Sequence, residues 1–389
     1  MKILALSHSC VTDLNQQLFV ALNKKPDVQI ELIVPANWIS DITGKPQTPR
    51  LLPSVDFPVH VLPVAIPGNV SLHFYHRLAA KRFQAFAPDL LLSTQESWSF
   101  SHFQAGRVAR KLGIPIVFQM NQNILKHYPP PFRWLEQHAY RTAAAATACT
   151  EEARQVLLHK GLRAPSHIVP FGVDLTLFHQ AQSAPLRRPL GLNGSLVVGY
   201  MGRFVPEKGL DTLIEAARML YQEQPTLDFR VLLVGSGPGE DALRQQIAAA
   251  GLTDRFHFTG SIPHDKAGDY LRCMDIFVLP SRTTPSWKEQ FGRVIIEALA
   301  CGVPVVGSDS GQIPHLIRET KGGMVFAEGD ASDLAQKLLA LASDRSLRQE
   351  MGQNGSNSVQ AKYTFEAVAG QLHRILTDIL TDAAKVSCL

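Results

Sequence analysis

Over nearly its whole length the chain alternates short apolar, β-favouring runs with stretches whose apolar positions recur at helical spacing. That alternation restricts it to parallel sheets covered by helices on both faces. Strand-like runs fall at 2–7, 28–34, 59–64, 89–93, 114–119 and 146–149, with helix-like patterns at 12–23, 72–86, 100–112, 132–144 and 151–160. After the proline- and arginine-bearing stretch 181–194 the alternation restarts, with strand-like runs at 196–201, 229–234, 255–259, 276–279 and 304–307. Helical patterns follow at 209–220, 240–250, 264–274, 292–300, 312–318, 331–342 and 345–353, and an amphipathic one closes the chain from about Thr364 to Asp382.

The restart implies two doubly wound α/β domains joined near 181–194, and 389 residues exceed what one core usually organises. Open sheets of this kind bind ligands outside the carboxyl ends of their strands, so a cleft between two such domains is the expected site. No apolar run reaches the roughly 18 residues that span a bilayer, and the opening MKILALSHS reads as a buried strand and not a signal peptide. The expectation is a cytoplasmic protein. Cys10, Cys149, Cys273, Cys301 and Cys388 lack paired zinc-site spacings and read as reduced thiols, mostly in the core. Residues 1–150 hold 14 Lys/Arg against 8 Asp/Glu, so the net charge of +4 belongs to the first half.

Three segments carry chemistry. The first is a strand ending in Gly202-Arg203, with Lys208-Gly209 opening a helix. A glycine turn and a helix N-terminus aim N–H groups at one spot, and the two cations suit a diphosphate; two solvated cations beside an ordinary turn is the plainer reading. The second is Gly235-Ser-Gly237-Pro-Gly239 after a strand, which serves either tight strand-to-helix geometry or close approach to a ligand. No acidic residue ends a following strand at the separation that dinucleotide binding uses. The third runs from Pro280 to Ile317, with Glu289 in a polar loop, Gly292 beginning a helix, and Glu297 on that helix among Ile295, Ile296, Ala298 and Leu299. A carboxylate there is costly unless a partner satisfies it, and a ribose diol supplies two donors; exposure, or pairing with a nearby arginine, would also serve.

Glu289, seven intervening residues, Glu297 and then Ala-Leu-Ala-Cys-Gly-Val-Pro-Val-Val resembles the signature of retaining family-4 (group 1) glycosyltransferases of GT-B fold. Gly202-Arg203, Lys208-Gly209, Gly235 to Gly239, Phe258-Thr259-Gly260, Asp275 to Ser281 and Pro170 to Phe178 follow in the family's order. The match covers about 165–365 closely and the first 165 residues in architecture only.

The resemblance implies an α/β, GT-B architecture: two Rossmann-like doubly wound parallel-sheet domains facing across a cleft. The first would be an acceptor-binding domain, 1–175 plus a crossover helix at 364–389, and the second a donor-binding domain, 190–363. It implies a retaining, metal-independent hexosyltransferase, without cofactor, that moves a sugar from a nucleotide-sugar donor, with uridine the favoured base, to a glycan or lipid-linked acceptor in cell-surface polysaccharide or glycolipid synthesis. Arg203, Lys208 and Glu289 would carry catalysis, the cations on the diphosphate and Glu289 on the transferred sugar. Glu297 would hold the ribose, Gly202, Gly235 and Gly237 would line the phosphates, and Gln290, Phe291 and Gly292 would offer backbone N–H groups. The base would lie against Ser261, Ile262 and Pro263 and against Pro280-Ser281. No Asp-x-Asp motif is present, in keeping with neutralisation by the cation pair.

The chain departs from the pattern where many relatives carry a glycine pair after the first strand. It has Ser7-His8-Ser9 there, followed by Thr12 or Asp13 as a candidate helix N-cap. It also has Gln95 and Glu96 where relatives often carry a histidine. His8, Ser9, Gln95, Glu96 and Asn121 are therefore the candidates for the acceptor side, each also readable as an ordinary polar loop residue. The 71–86 stretch sets Arg77, Lys81 and Arg82 among Phe74, Tyr75, Leu78, Phe83 and Phe86. At helical spacing it is either a solvated helix or a basic face for an anionic membrane on the inner leaflet. No nucleic-acid partner is expected. The alternatives are a nucleotide-sugar epimerase or hydrolase on the same architecture, and a non-catalytic sugar-nucleotide-binding protein.

Overall fold

A computed structural model describes residues 1–40, 44–181 and 186–387, without the side chains of 383, 384, 386 and 387. Part of the linker candidate, 182–185, and Cys388 lie outside the described residues. The chain divides into two compact units, one made of Met1–Gly172 with Phe365–Leu389 and the other of Val173–Thr364.

The first unit is built on a seven-stranded sheet, every pairing parallel. Its order in space is Ser166–Ile168, Ala145–Ala148, Ile116–Met120, Leu90–Ser93, Lys2–Leu6, Gln29–Pro35 and Val59–Leu62. The central strand Lys2–Leu6 is fully buried from Ile3 to Leu6, so it reads as a continuous apolar run without alternation. Succession moves outward from it in one direction and then jumps to its other side at Leu90–Ser93, which makes the ends of these two strands the switch point of the sheet. The helix Phe365–Ser387 covers one face, seating Val368, Ala369, Leu372 and Leu376 against Phe19, Leu22 and Ile30.

The second unit repeats the plan with six parallel strands in the order Phe256–Phe258, Phe229–Val234, Leu196–Met201, Ile276–Leu279, Val305–Ser308 and Gly323–Phe326. Its switch point lies between Leu196–Met201 and Ile276–Leu279. Gly199, mid-strand, is a packing requirement: a Cβ there would stand 2.1 Å from the Met274 sulfur. Helix Leu210–Glu223 buries Leu210, Leu213, Ile214, Ala217 and Leu220, an i, i+3, i+4, i+7 stripe against the sheet.

Three local expectations fail. The 72–86 stretch is not helical: Phe74–Tyr75 pairs antiparallel with Val64–Ala65, and only Ala80–Arg82 makes a 3₁₀ turn. Aromatic Phe74 points outward and Tyr75 inward, with the Gln104 side chain bonding both the N–H and the C=O of Tyr75. The helical face proposed for lipid contact therefore does not exist. Neither does a Thr12 cap, since residues 9–16 form two 3₁₀ turns before the helix Gln17–Asn23 and the Thr12 side chain bonds no helical N–H. Finally, 345–353 continues to Lys362, its low hydrophobicity having concealed the second half of the helix. Cys10, Cys149, Cys273 and Cys301 are buried, and none of them is in a disulfide. Among the described residues no helix is long and apolar enough to cross a membrane.

Candidate donor site

The loops at the second unit's switch point converge because close approaches there tolerate only glycine. After Met201 the chain passes Gly202-Arg203 and turns through Pro206–Lys208 into helix Leu210–Glu223. Gly209, at φ 63°, lies against the end of the neighbouring strand, where a Cβ would meet the Pro280 carbonyl oxygen at 2.0 Å. Arg282 N–H donates to the Glu207 carbonyl at 2.8 Å, tying the two loops together. The glycine turn after Phe229–Val234 backs this assembly: a Cβ on Gly235 would stand 1.9 Å from Gly202 O, and one on Gly237 2.4 Å from Phe204 O. Both glycines thus answer to packing of the 202–204 segment, which also receives and makes backbone bonds with Ser236 and Gly239.

Across from this turn stands Glu289. Its carbonyl is pressed against Gly311, at φ 54°, where a Cβ would lie 2.0 Å away, and accepts from Gln312 N–H at 3.2 Å. Its carboxylate meets Lys208 Nζ at 2.6 Å and accepts from the Ser281 hydroxyl at 2.9 Å. Both side chains of the pair are mostly buried, 15% exposed for Lys208 and 12% for Glu289, and Lys208 Nζ also stands 4.7 Å from the centre of the Trp287 ring. A pair this enclosed is held by geometry and not by long-range attraction, and breaking one partner strands the other. Arg203 is exposed, and among the described residues its guanidinium makes no ion pair. The second unit therefore presents a free fork, an ammonium already bonded to a carboxylate, and loop N–H groups at one strand edge. Fork and ammonium together suit oxygen-rich anions.

Gly292, at φ 80°, starts the helix Arg293–Ala300, with Gln290 exposed and Phe291 buried against Tyr363. Glu297 lies on that helix between buried Ile295, Ile296, Ala298 and Leu299. Burial pushes its carboxyl up to about 7, with the Arg293 charge pulling the other way, although part of the side chain still reaches solvent. Ile262 is partly exposed and Ser261 is hydrogen-bonded to Ser236 at 2.6 Å. Pro280 and Ser281, expected against a base, are instead enclosed, and the Ser281 hydroxyl is spent on Glu289.

At the first unit's switch point the structure assembles a cluster that the sequence disclosed only in part. Gln95 Oε1 is 2.8 Å from His8 Nδ1, 3.1 Å from His73 Nε2 and 3.1 Å from Ser101 Oγ. Trp38 closes the group, its ring 4.9 Å from His8 and 4.8 Å from His73. Burial, the neighbouring His73 and an opposing bond to Gln95 leave His8 at about 4, and burial lowers His73 too, so both imidazoles are neutral near pH 7. Ser9 is exposed beside them, its hydroxyl 3.1 Å from Ser7 Oγ, and Asn121 accepts from Gln119 at 3.4 Å. Glu96 belongs to a different group: burial and the nearby Glu136 push its carboxyl up to about 7 against the pull of Lys160, and its Oε2 is enclosed without a partner. Lys160 pairs with Glu136 at 2.7 Å, both side chains almost wholly buried. His73, Trp38, Glu136 and Lys160 had no sequence signal: they come from separate segments that only the fold unites.

With this geometry in view, two stretches match known families: residues 183–358 match the glycosyl transferases group 1 and residues 39–177 match Glycosyltransferase Family 4. The alpha-D-kanosaminyltransferase of Streptomyces kanamyceticus is 31% identical over 288 residues, 70% of this chain and 72% of that protein. A D-inositol 3-phosphate glycosyltransferase of Nocardia farcinica is 34% identical over 209 residues, which is 52% of this chain and 45% of that one. A GDP-mannose-dependent mannosyltransferase of Corynebacterium glutamicum is 33% identical over 54% of this chain and 55% of its own. In structure, Anabaena Alr3699/HepE in complex with UDP superposes with a TM-score of 0.75 at 22% identity, over 97% of this chain and all of that one. Sucrose-phosphate synthase of Thermosynechococcus elongatus gives 0.72 at 21%, over 98% and 100%. The fold is GT-B, and the chain belongs to the family-4, group 1 glycosyltransferases.

Proposed function

We propose that this glycosyltransferase moves a hexose-type sugar from a nucleoside-diphosphate donor to a glycan or lipid-linked acceptor with retention of configuration, without a metal ion, and with the donor held in Val173–Thr364. The observation that supports it best is the Lys208–Glu289–Ser281 constellation beside the free Arg203 at the switch point. Arg203 and Lys208 stabilise the charge that grows on the diphosphate as the glycosidic bond breaks, and Glu289 holds hydroxyls of the transferred sugar. Glu297 accepts from the ribose diol, which restores the hydrogen bonds its carboxylate lacks among the described residues. Backbone N–H groups of 290–292 face the same phosphates.

No second carboxylate can be named from the sequence as a nucleophile on the sugar's acceptor face, as a double displacement would require, which favours front-face departure through an oxocarbenium-like state with the leaving phosphate accepting the acceptor's proton. His8, Ser9, Gln95 and Asn121 serve the acceptor side; Glu96, enclosed with Glu136 and Lys160, is withdrawn from it. Uridine is the proposed base, consistent with the UDP bound by the Anabaena neighbour, while the Corynebacterium relative makes guanosine the rival. The setting is cell-surface polysaccharide or glycolipid synthesis.

The test is a thermal-shift screen of purified protein against UDP, GDP, ADP and their sugar conjugates, followed by acceptor-dependent nucleotide release with and without a chelator and NMR of the product's anomeric carbon. A rise with one nucleotide and its conjugate and release only with acceptor would support the reading. Release without acceptor moves it to a hydrolase or epimerase, and no rise with any nucleotide overturns the donor site.

A further inference from the structure

At the opposite end of the first unit's sheet from His8 and Gln95, helices Phe100–Leu112 and Phe132–Thr142 part around a cavity of about 480 Å³. Its walls include Phe103, Arg107, Arg110, Ile114, His138 and Thr142, and Ile116, also on the wall, is the first residue of its strand. Residues 103, 107 and 110 recur at i, i+4, i+7 on one helix, so Phe103, Arg107 and Arg110 share the face that lines the cavity, while Arg141, three residues after His138, lies at its margin, near enough for its charge to act on that imidazole.

Nothing acidic answers them. The two helices hold one acid between them, Glu136, which faces the core, where it bonds Lys160 at 2.7 Å and Tyr140 at 3.1 Å. Among the described residues the guanidiniums of Arg107, Arg110 and Arg141 make no ion pair or hydrogen bond. Like charges at i, i+3 oppose helix formation, and the helix C-terminal dipole favours cations in a last turn but does not by itself set Arg107 and Arg110 on the wall of one cavity. His138 lies on that wall, edge-on to Phe103 at 5.3 Å, and burial, Arg141 and Arg110, in that order, disfavour its protonation. The groove is a positive field with apolar walls, a forked donor on one rim and a neutral imidazole on the other.

We propose that this groove is a second ligand site, distinct from the donor loops, that binds a phosphate-bearing anion through Arg107, Arg110 and Arg141, with the organic part of the ligand against Phe103 and Ile114. Guanidinium forks match phosphate oxygens bidentately, and a cavity of this size holds a diphosphate or a lipid headgroup with the first carbons of its tail. The phosphate has two sources, a soluble metabolite or an anionic lipid, and the experiment separates them.

The protein is labelled with ¹³C-histidine, the His138 signal is identified by its loss in His138→Gln, and its pH titration is followed with and without inorganic pyrophosphate. Flotation with phosphatidylcholine vesicles, with and without phosphatidylglycerol, is measured beside it. Pyrophosphate neutralises the flanking arginines, so it raises the pH at which His138 titrates in wild type and in Lys208→Ala, which has a damaged donor site. The shift is lost in Arg110→Gln/Arg141→Gln and in Arg107→Gln, all changes at exposed positions. No pyrophosphate shift, but vesicle binding that needs phosphatidylglycerol and falls at least tenfold in the same variants, assigns the ligand to the membrane. Absence of both responses, or a shift that survives loss of the arginines, overturns the site; the donor assignment is read separately, from nucleotide binding in wild type and Lys208→Ala, so failure here leaves it standing.

Discussion

Glu289 and Lys208 satisfy one another in the structure, and this pairing sets what each substitution does. On the proposed donor roles, removing Lys208 would take a cation from the diphosphate and leave a carboxylate facing it, so Lys208→Ala is expected to weaken both nucleotide affinity and turnover. On the same roles, removing Glu289 would free the ammonium for phosphate, so Glu289→Ala is expected to keep or improve UDP affinity while turnover falls, on the order of 100-fold, through loss of the proposed sugar contacts. Calorimetry on UDP and initial rates on the same preparations separate the two; equal losses of affinity would refute the division of labour. Glu297 adds a pH dependence. If Glu297 holds the ribose as proposed, the hydroxyls donate to its carboxylate, binding selects the ionised form of a carboxyl that burial pushes up to about 7, and affinity is expected to rise as pH increases through that value. Glu297→Gln removes this component, read as the difference between the two affinity–pH curves so that titration of the phosphate cancels. Glu96 acts on stability. Its folded-state value of about 7 lies above the unfolded one, so its contribution is fully present below about 4.5, is lost as pH rises to about 7, and amounts to at most about 3 kcal/mol. Glu96→Gln flattens that stretch of the urea-midpoint–pH curve.

At the scale of elements, glycines separate positions that are built for contact from positions that are not. Gly235 joins strand Phe229–Val234 to its helix at φ 131°, with a Cβ meeting Gly202 O at 1.9 Å, so Gly235→Ala costs about 3 kcal/mol or more in the unfolding transition of the second unit. Gly106, inside helix Phe100–Leu112, meets nothing within 4 Å, and Gly106→Ala stabilises the first unit by about 0.5–1 kcal/mol. Denaturant melts monitored unit by unit give both signs. The same contrast explains what the sequence disclosed. Continuous apolar strands such as Leu196–Met201 declare themselves by composition, and the Glu289 to Glu297 spacing marks one loop and one helix, which is local information. The strand Ser166–Ile168 and the Phe74–Tyr75 pairing were hidden because edge strands of two or three residues carry no usable period, and the 72–86 aromatics fit a helical wheel as well as a ribbon. His73 and Trp38 reach His8 only through the folded sheet, so no spacing along the chain could announce them.

For the whole molecule, the first unit is discontinuous in sequence: its last helix, Phe365–Ser387, arrives after the entire second unit has been made. The chain leaves and re-enters side by side, Val173 N–H donating to Tyr363 C=O at 2.8 Å and Gly172 lying so close to Phe365 that a Cβ would stand 2.6 Å from its ring. Val368, Leu372 and Leu376 are almost completely buried in the core that holds Phe19, Leu22, Ile30 and Leu90. At about 2 kcal/mol for each large apolar side chain, they contribute an amount comparable to the 5–15 kcal/mol that keeps a typical domain folded. A chain ending at Thr364 therefore retains a folded second unit but leaves the first with an uncovered apolar face. Hydrogen exchange should show protection kept in Leu196–Met201 and Phe229–Val234 and lost in Lys2–Leu6 and Gln29–Pro35, with nucleotide binding retained and transfer abolished. A separately supplied 365–389 peptide should restore protection to the first unit. Protection of Lys2–Leu6 without the helix or the peptide would mean that the first core closes on its own, and that the returning helix serves a purpose other than its stability.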